Sequence, residues 1–370
     1  MRRPPGHAAS PGHSWSFWPV QVAALAALLA GAQPAAAMDA GMPHPPALPT
    51  IVTVGLFLAD IVSLDEVNET FEAEFVIGAQ WVDSRLAFDP AAAGTDEKLF
   101  QGSFQFDELY EGWWPQLLIV NEVGKSSPNA LRLVVHADGR VHYLEQRNVI
   151  LETPMQLQRF PFDEQVLEAN IIAFGNSNDR VVLQVDQHML GASEEHAEKN
   201  QKVNIAQWQF ENLELSSRPS EFRYETGGSD ISEIHLEISM SRKPGNFIWK
   251  VILPLVVLVL LMWAVFWLDV DSLSERLNLA FIGVLTIVAY QFLIDGTMPR
   301  ISYFTFTDAV LLYSFVIMCM AIFESVAVYS MFRAGRKALA ERADRIAQWA
   351  FPVVYFAGLW ASYLYYQYVA

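Results

Sequence analysis

Four apolar segments fill the last third of this chain and constrain its fold more than any other feature. They run Phe247–Leu268, Leu273–Ile294, Ala309–Met331 and Arg345–Tyr368, after an abrupt change of composition at Pro244-Gly245. About 20 helical residues at ~1.5 Å each cover the ~30 Å hydrocarbon core of a bilayer, so each segment is long enough to span it. Trp249, Trp267, Trp349, Tyr365 and Tyr366 lie toward segment ends, where amphipathic rings favour the membrane interface. Pro254 and Pro352 fall inside segments and should bend them locally, which neighbouring helices accommodate. The third connection, Arg333–Arg345, carries Arg333, Arg336, Lys337, Arg342 and Arg345 against only Glu341 and Asp344. A basic connection of that kind is expected on the cytoplasmic side, which puts everything before residue 245 outside.

The N-terminus supports that orientation. Arg2 and Arg3 precede an apolar region around Phe17–Leu29, and Ala35-Ala36-Ala37 offers a small-residue cleavage site. This is the pattern of a signal peptide over residues 1–37, with the mature chain starting near Met38. Residues 38–50, rich in proline, read as a flexible leader. From 51 to 244 the pattern is β: short alternating runs such as FEAEFVIGAQWV and ALRLVVHADGRVHYLE, with Asp138-Gly139 as a hairpin turn. Helical periodicity there is limited to Asp96–Phe100 and Gly191–Lys199. About 190 residues with this strand spacing suggest an exported immunoglobulin-like β-sandwich, followed over 245–370 by a four-helix transmembrane domain. The net charge of −17 lies mostly before residue 245; so acidic a surface attracts cations and argues against nucleic acid as a partner. Cys319, the single cysteine, lies in an apolar run, reads as a packing residue and permits no intrachain disulfide.

Within the second segment, Glu275, Asn278, Ile282, Leu285, Ala289 and Phe292 follow one another at steps of three, four, three, four and three. At helical spacing they share one stripe, polar at its start and apolar through its middle. If several copies ringed an axis, the stripe would supply a charged mouth, a polar constriction and a hydrophobic gate that closes by dewetting. The alternative is a helix buried in a bundle with its polar end at the membrane surface. Glu275 also has a second reading, as the last residue of a capping box Ser272-Leu273-Ser274-Glu275.

Three motifs in order bear on that choice: Trp81-Val82-Asp83-Ser84-Arg85-Leu86; Trp113-Trp114-Pro115 leading to Asn121; and Phe160-Pro161-Phe162-Asp163-Glu164-Gln165. Together with the four segments they resemble the pentameric ligand-gated ion channels, the Cys-loop receptor superfamily, across nearly the whole mature chain. Animal members bracket the FPFD loop with two cysteines; this chain has neither, as is typical of the prokaryotic branch. The resemblance implies a homopentamer of identical subunits in a bacterial inner membrane, with second helices lining a cation-selective pore. Glu275 would ring the cytoplasmic mouth, where anion-selective relatives carry a Pro-Ala insertion that SLSERL lacks. Arg276, about 100° around the helix from Glu275, would dilute that charge. Asn278 would form the polar filter, and Ile282, Leu285 and Phe292 the gate.

The resemblance also implies how opening is coupled. Glu66, Asp163 and Arg242 match the junction between sandwich and membrane, with Arg242 between two carboxylates relaying motion to Pro299; an ordinary solvated ion pair is the alternative. Ligands of the family bind between subunits beneath a hairpin that here spans about 222–234. Phe174, Phe222 and Tyr224 offer aromatic faces to a small amine-like ligand, and Ile231 and Ile172 replace groups that would complete the box. Protons are the competing agonist: Asp65, Glu66 and Glu69 crowd one turn, where like charges raise a carboxylate's pKa, and Glu69 is the strongest candidate sensor. His136, His142, His188 and His235 titrate near neutrality but read as exposed strand or loop residues. A non-conducting receptor for a periplasmic ligand is disfavoured by the short third connection. An enzyme is disfavoured by the absence of HExxH, GxSxG and P-loop patterns. No metal or cofactor is expected; monovalent cations, protons or a small ligand, identical subunits and membrane lipid are.

Overall fold

The computed structural model describes residues 44–199, 207–221, 230–295 and 302–368. The expected signal peptide and residues 38–43 of the leader lie outside these residues, as do Phe222, Tyr224 and Pro299.

The β-region folds as two sheets. The first has six strands in the order β3-β5-β6-β2-β1-β8: β1 Thr50–Asp65, β2 Thr70–Val82, β3 Glu97–Gln101, β5 Ala130–His136, β6 Arg140–Glu152 and β8 Val181–Val185. The second has four, in the order β4-β7-β10-β9: β4 Leu117–Ile119, β7 Glu164–Ala173, β9 Trp208–Pro219 and β10 Ser232–Arg242. Period-two patterning drives the arrangement. On β2 every second residue from Phe71 to Trp81 is buried, and on β7 Leu167, Ala169 and Ile171 are buried in the same rhythm. The two apolar faces bury each other as a sandwich, tied by the Ser217 hydroxyl donating to the Leu183 carbonyl and by Leu183 N–H donating to Ser232 Oγ.

Besides short helical turns at Ser84–Leu86 and Pro90–Ala93, two longer helices interrupt the strands: α1 Gly102–Leu109 and α2 Gln187–Lys199. The α2 helix covers β1, and Ser193 Oγ accepts from the Leu58 N–H. It includes the expected Gly191–Lys199 helix. Asp96–Phe100 departs from expectation: Glu97–Gln101 is a strand paired with β5, and the helix follows it. The strand is mostly exposed and has no alternation to read, so only its hydrogen bonds to β5 decide its state.

The membrane part holds α3 Gly245–Trp267, α4 Leu273–Asp295, α5 Phe306–Arg333 and α6 Lys337–Tyr368. Among the described residues three helices are long and apolar enough to cross a membrane: α3, α4 over Leu273–Ile294, and α5. The α6 helix packs beside α5, where Tyr355 stacks on Tyr313 and meets Trp263 of α3 edge-on. Cys319 on α5 is half-buried. Pro254 has no N–H for the Lys250 carbonyl, and α3 answers with a π-type turn over Ile248–Ile252. The freed Lys250 carbonyl accepts instead from the Tyr290 hydroxyl of α4 at 2.9 Å. The fourth helix starts at Lys337 rather than Arg345, so most of the basic connection is helical. Gly335, at φ 80°, supplies the left-handed turn that ends α5, and the chain re-enters a helix almost at once.

The expected hairpin turn forms at Asp138-Gly139. Gly139 has φ 84°, its carbonyl accepts from Asp83 N–H, and a Cβ there would lie 2.6 Å from the Asp83 carbonyl oxygen. Gly139→Ala is therefore expected to destabilise the protein by about 1–3 kcal/mol through backbone strain and steric overlap. Thermal unfolding of the two forms in the same detergent measures this; equal midpoints would contradict it.

Candidate functional site

The stripe on α4 is where a pore surface would have to be. Glu275, Asn278, Ile282, Leu285, Ala289 and Phe292 are all exposed, with Leu285 at 68% and Phe292 at 74%. The opposite side of the helix, with Arg276, Ala280, Gly283, Ile287 and Ile294, is buried in the bundle. The bundled-helix alternative would bury the Ile282–Leu285–Phe292 side; in the subunit that side has no partner. The capping-box reading of Glu275 fails on geometry, because the Glu275 N–H donates to the Ser272 backbone carbonyl and not to its hydroxyl, which donates to the Asp269 carbonyl. The capping box of the membrane domain is instead at α5, between Thr305 and Asp308.

Arg276 does not share the surface of Glu275. It is fully buried, donates from Nη1 to Asp344 Oδ1 of α6 at 2.8 Å, and donates from Nε and Nη2 to the Leu268 carbonyl. The expected dilution of the Glu275 charge is corrected accordingly: the guanidinium is turned into the bundle and its charge is matched there. The 100° step between adjacent helical residues accounts for the separation.

At the junction of sandwich and membrane, the three residues matched by the resemblance meet. Arg242 donates from Nε to Asp163 Oδ1 at 2.7 Å, from Nη2 to Asp163 Oδ2 at 3.2 Å and from Nη1 to Glu66 Oε1 at 2.9 Å. Its guanidinium also lies over the rings of Trp208, at 4.2 Å, and Phe160, at 4.7 Å. The side chains of Arg242 and Asp163 are 5% and 1% exposed, so this is a buried fork and not a solvated surface pair. The loop after Arg159 carries the constellation onto the helices. The Gln158 carbonyl accepts from Phe306 N–H, the Phe160 carbonyl from the Thr307 hydroxyl, and Phe162 packs against Phe306 and Tyr363. The Tyr303 hydroxyl accepts from Leu157 N–H and donates to the Met155 carbonyl. A chain of contacts thus runs from Arg242 over the Phe160 ring, whose residue's carbonyl binds Thr307, to the start of α5.

The acidic turn is built differently from the expectation. Asp65 is exposed; its Oδ1 accepts from the N–H groups of Val67 and Asn68, and its Oδ2 from Asn68 Nδ2. The Asn68 side-chain bond, then its backbone N–H, hold the Asp65 carboxyl below its usual value, opposite to the shift expected from charge crowding. Glu69 is half-buried at a left-handed φ of 53°, unusual for a residue with a side chain, and its carbonyl accepts from Thr153 N–H. Glu66 is engaged by Arg242.

Of the aromatic set, Phe174 is 44% exposed at the end of β7, Ile231 is half-buried, and Ile172 is fully buried in the sandwich core. At the start of β10 lies a feature the sequence reading missed. Glu233 is 1% exposed, accepts from the Ser220 hydroxyl at 2.6 Å and from Arg218 Nε at 2.9 Å. Its place directly after Ser232 in an alternating strand gave no sign of burial.

His235 is also misplaced by the sequence reading. It is buried on β10, with Nδ1 at 2.5 Å from Asn170 Oδ1 and Nε2 at 2.8 Å from Glu237 Oε1. His188 is exposed, as expected, while His136 and His142 are half-buried and meet ring to ring at 4.9 Å. Burial first, then the neighbouring His136 and Arg140, hold the His142 imidazole below its ordinary value of 6.5.

Two outcomes follow. Asp163→Asn leaves Arg242 buried with half its counter-charge gone, and is expected to cost about 3–5 kcal/mol in chemical unfolding of the full chain; a loss below 1 kcal/mol would mark the cluster as solvated. For His142 the folded pKa is depressed, so its contribution to stability is complete above about pH 6.5 and is lost as pH falls through the folded value. His142→Gln should therefore flatten the decline of the unfolding midpoint as pH falls below about 6.5. An unchanged decline would assign it to other groups.

Comparison with known proteins agrees with this architecture. Residues 42–244 match the family model of the neurotransmitter-gated ion-channel ligand binding domain, and residues 251–342 that of the neurotransmitter-gated ion-channel transmembrane region. The chain is similar to a proton-gated ion channel of Gloeobacter violaceus, 27% identical over 319 residues that cover 86% of this chain and 84% of that one. It is similar, at 24% identity, to the gamma-aminobutyric acid receptor subunit rho-2 of Bos taurus over 311 residues, 83% of this chain and 62% of the relative. A gamma-aminobutyric acid receptor subunit beta of Caenorhabditis elegans is 24% identical over 282 residues, 75% of this chain and 48% of the relative. With a β-sandwich seated on membrane helices and both family regions matched in order, the chain belongs to the neurotransmitter-gated, or pentameric ligand-gated, ion-channel family.

Proposed function

We propose that this chain assembles as a homopentamer in a bacterial inner membrane, with the sandwich outside, and conducts monovalent cations when external protons or a small ligand open it. The observation that carries the reading is the exposed stripe of α4 from Glu275 to Phe292, set opposite a fully packed face. Five such stripes around an axis would give that exposed face a common surface to line. Glu275 would place a carboxylate ring at the inner mouth, and the pairing of Arg276 with Asp344 keeps the adjacent cation out of that ring. Asn278 would be the polar filter, and Ile282, Leu285, Ala289 and Phe292 the wall that dewets when narrow.

Acid opening is supported by the similarity to the proton-gated ion channel of Gloeobacter violaceus and by the turn after β1, where Glu66 meets Arg242 and Glu69 follows three residues later in the chain. Glu69 is the sensor of this reading, since Asp65 is committed to its own turn and Glu66 to Arg242. Motion would pass through Arg242 and Asp163 to the Tyr303–Thr307 end of α5 and to Pro299. A small amine at the subunit interface is the second reading. It is favoured by the exposed ring of Phe174 and by the gamma-aminobutyric acid receptor relatives, with Phe222, Tyr224 and Ile231 completing the hairpin side.

Current across membranes containing the full chain, with external pH stepped from about 7.5 to about 4, tests this directly. A sustained inward current that vanishes when sodium is replaced by an impermeant cation is expected. Glu69→Gln should move the response to lower pH, and Glu275→Gln should lower the preference for sodium over chloride. Current carried by chloride would overturn the selectivity. Silence to acid and to a panel of small amines would leave a non-conducting receptor.

A further inference from the structure

The face of the six-stranded sheet turned away from the sandwich core carries two histidines that take no part in the junction or the pore stripe. His136 ends β5, and His142 lies near the start of β6 across the Asp138-Gly139 turn, alternating with the buried Val141 and Tyr143. His142 pairs with Val134, so His136 is its diagonal neighbour on the same face. On the other side of His136, Glu97 of the edge strand β3 is its direct cross-strand partner. The two rings lie 4.9 Å apart between centres, and Glu97 Oε2 is 3.9 Å from His136 Nδ1, beyond hydrogen-bond reach. Among the described residues neither imidazole has a hydrogen-bond partner. The other acids nearby are committed elsewhere. Asp138 accepts from Arg140, and Asp186 accepts from the N–H groups of His188 and Met189 at the start of α2. Burial, which holds His142 below its ordinary value, keeps its ring neutral near pH 7, the form that offers a free nitrogen.

We propose that His136, His142 and Glu97 bind a divalent transition-metal ion of the zinc type, with water completing its shell. Two imidazoles on one tetrahedral Zn2+, at ~2.1 Å per Zn–N bond, hold their ring centres about 5 Å apart, and any two ligand atoms lie about 3.4 Å from each other. The ring spacing matches that figure. Glu97 Oε2 stands about 0.5 Å too far from His136 Nδ1, a gap that a small turn of its half-exposed side chain closes. Among the described residues no three ligating side chains already surround one point, so the ion itself draws in the carboxylate. Nitrogen ligands with one carboxylate suit zinc, whereas a hard ion such as Mg2+ prefers oxygen and keeps its water. The sequence hides the pair, because the histidines are six residues apart and only the hairpin brings their rings together. The site has a mechanical consequence. The exposed strand β3 is the edge of its sheet, paired only with β5, and α1 follows it directly. An ion held by β3, β5 and β6 together braces that edge. The proposal goes beyond the channel reading and depends on neither conduction nor assembly.

The test uses the purified full-length protein in neutral detergent, without a polyhistidine tag and stripped of metal, with the unfolding midpoint followed as zinc chloride or magnesium chloride is added. Zinc is expected to raise the midpoint to a plateau, and magnesium to leave it unchanged. His136→Gln with His142→Gln should raise the zinc needed for half the effect by about 100-fold, and Glu97→Gln by about 10-fold. His188→Gln, at an exposed position on α2, should leave the response unaltered. Lowering the pH from about 7.5 to about 5.5 should weaken the response, because both imidazoles must be neutral to bind. Cobalt(II) added to the wild-type protein should give a visible absorption band that zinc abolishes, and this reading decides if the double variant does not fold. No response to zinc, an equal response to magnesium, an unshifted double variant, or no cobalt band displaced by zinc would each overturn the site. Because no current is read, a protein that binds zinc here but never conducts separates this proposal from the channel reading.

Discussion

A buried guanidinium must be surrounded by acceptors, and that requirement at Arg242 organises the molecule around it. Asp163 supplies two oxygens, Glu66 a third, and the rings of Trp208 and Phe160 cover its faces. These groups come from the turn after β1, the loop before β7, and the starts and ends of β9 and β10, so the cation can be satisfied only when the sandwich is fully assembled. The same loop delivers Phe160 and Phe162 onto Phe247, Phe306 and Tyr363 of the helices. An interaction of this kind adds little net stability but penalises heavily any arrangement that breaks it.

A second buried guanidinium, Arg276, plays the corresponding part at the other end of the membrane domain. It joins α4 to α6 through Asp344 and closes the turn from α3 through the Leu268 carbonyl. The two ends of the bundle are thus each pinned by one arginine, and between them α4 packs through small and apolar residues on one face only. The opposite face, from Glu275 to Phe292, is left for whatever occupies the axis. Glu275 and Arg276 are neighbours in the chain, yet one faces outward and the other is sealed, so their charges act in separate places.

Much of this was legible beforehand. The strands of the sandwich are legible in their alternation, the second helix in its stripe, and the junction in Glu66, Asp163 and Arg242, which meet as the resemblance implied. Asp83 of the first motif accepts three bonds from Arg85, and Trp81 meets Trp113 of the second edge-on, so these residues serve the fold before any activity. What misled were local patterns with a tertiary answer. Glu97–Gln101 has no periodicity of its own and became a strand by pairing with β5. The run Lys337–Arg345 looked like a loop because it is charged, but charge on one side of a helix does not prevent it from forming. Asp65 looked like a crowded acid, whereas its oxygens were already committed to the N–H groups of its own turn.

The sequence by itself determined the order of the domains, the membrane segments and the face of α4 that carries Glu275 through Phe292, because periodicity and hydropathy are properties of neighbouring residues. It could not determine which polar groups are buried or with whom. Arg276 with Asp344, Arg242 with Asp163, Glu233 with Ser220 and His235 with Asn170 join residues distant in the chain or on facing strands. The cost of burying a charge or an imidazole is met only by a partner that the folded chain brings within hydrogen-bond distance. For that reason the identity of those partners, and the separation of Glu275 from its neighbouring cation, were decided by the tertiary structure alone.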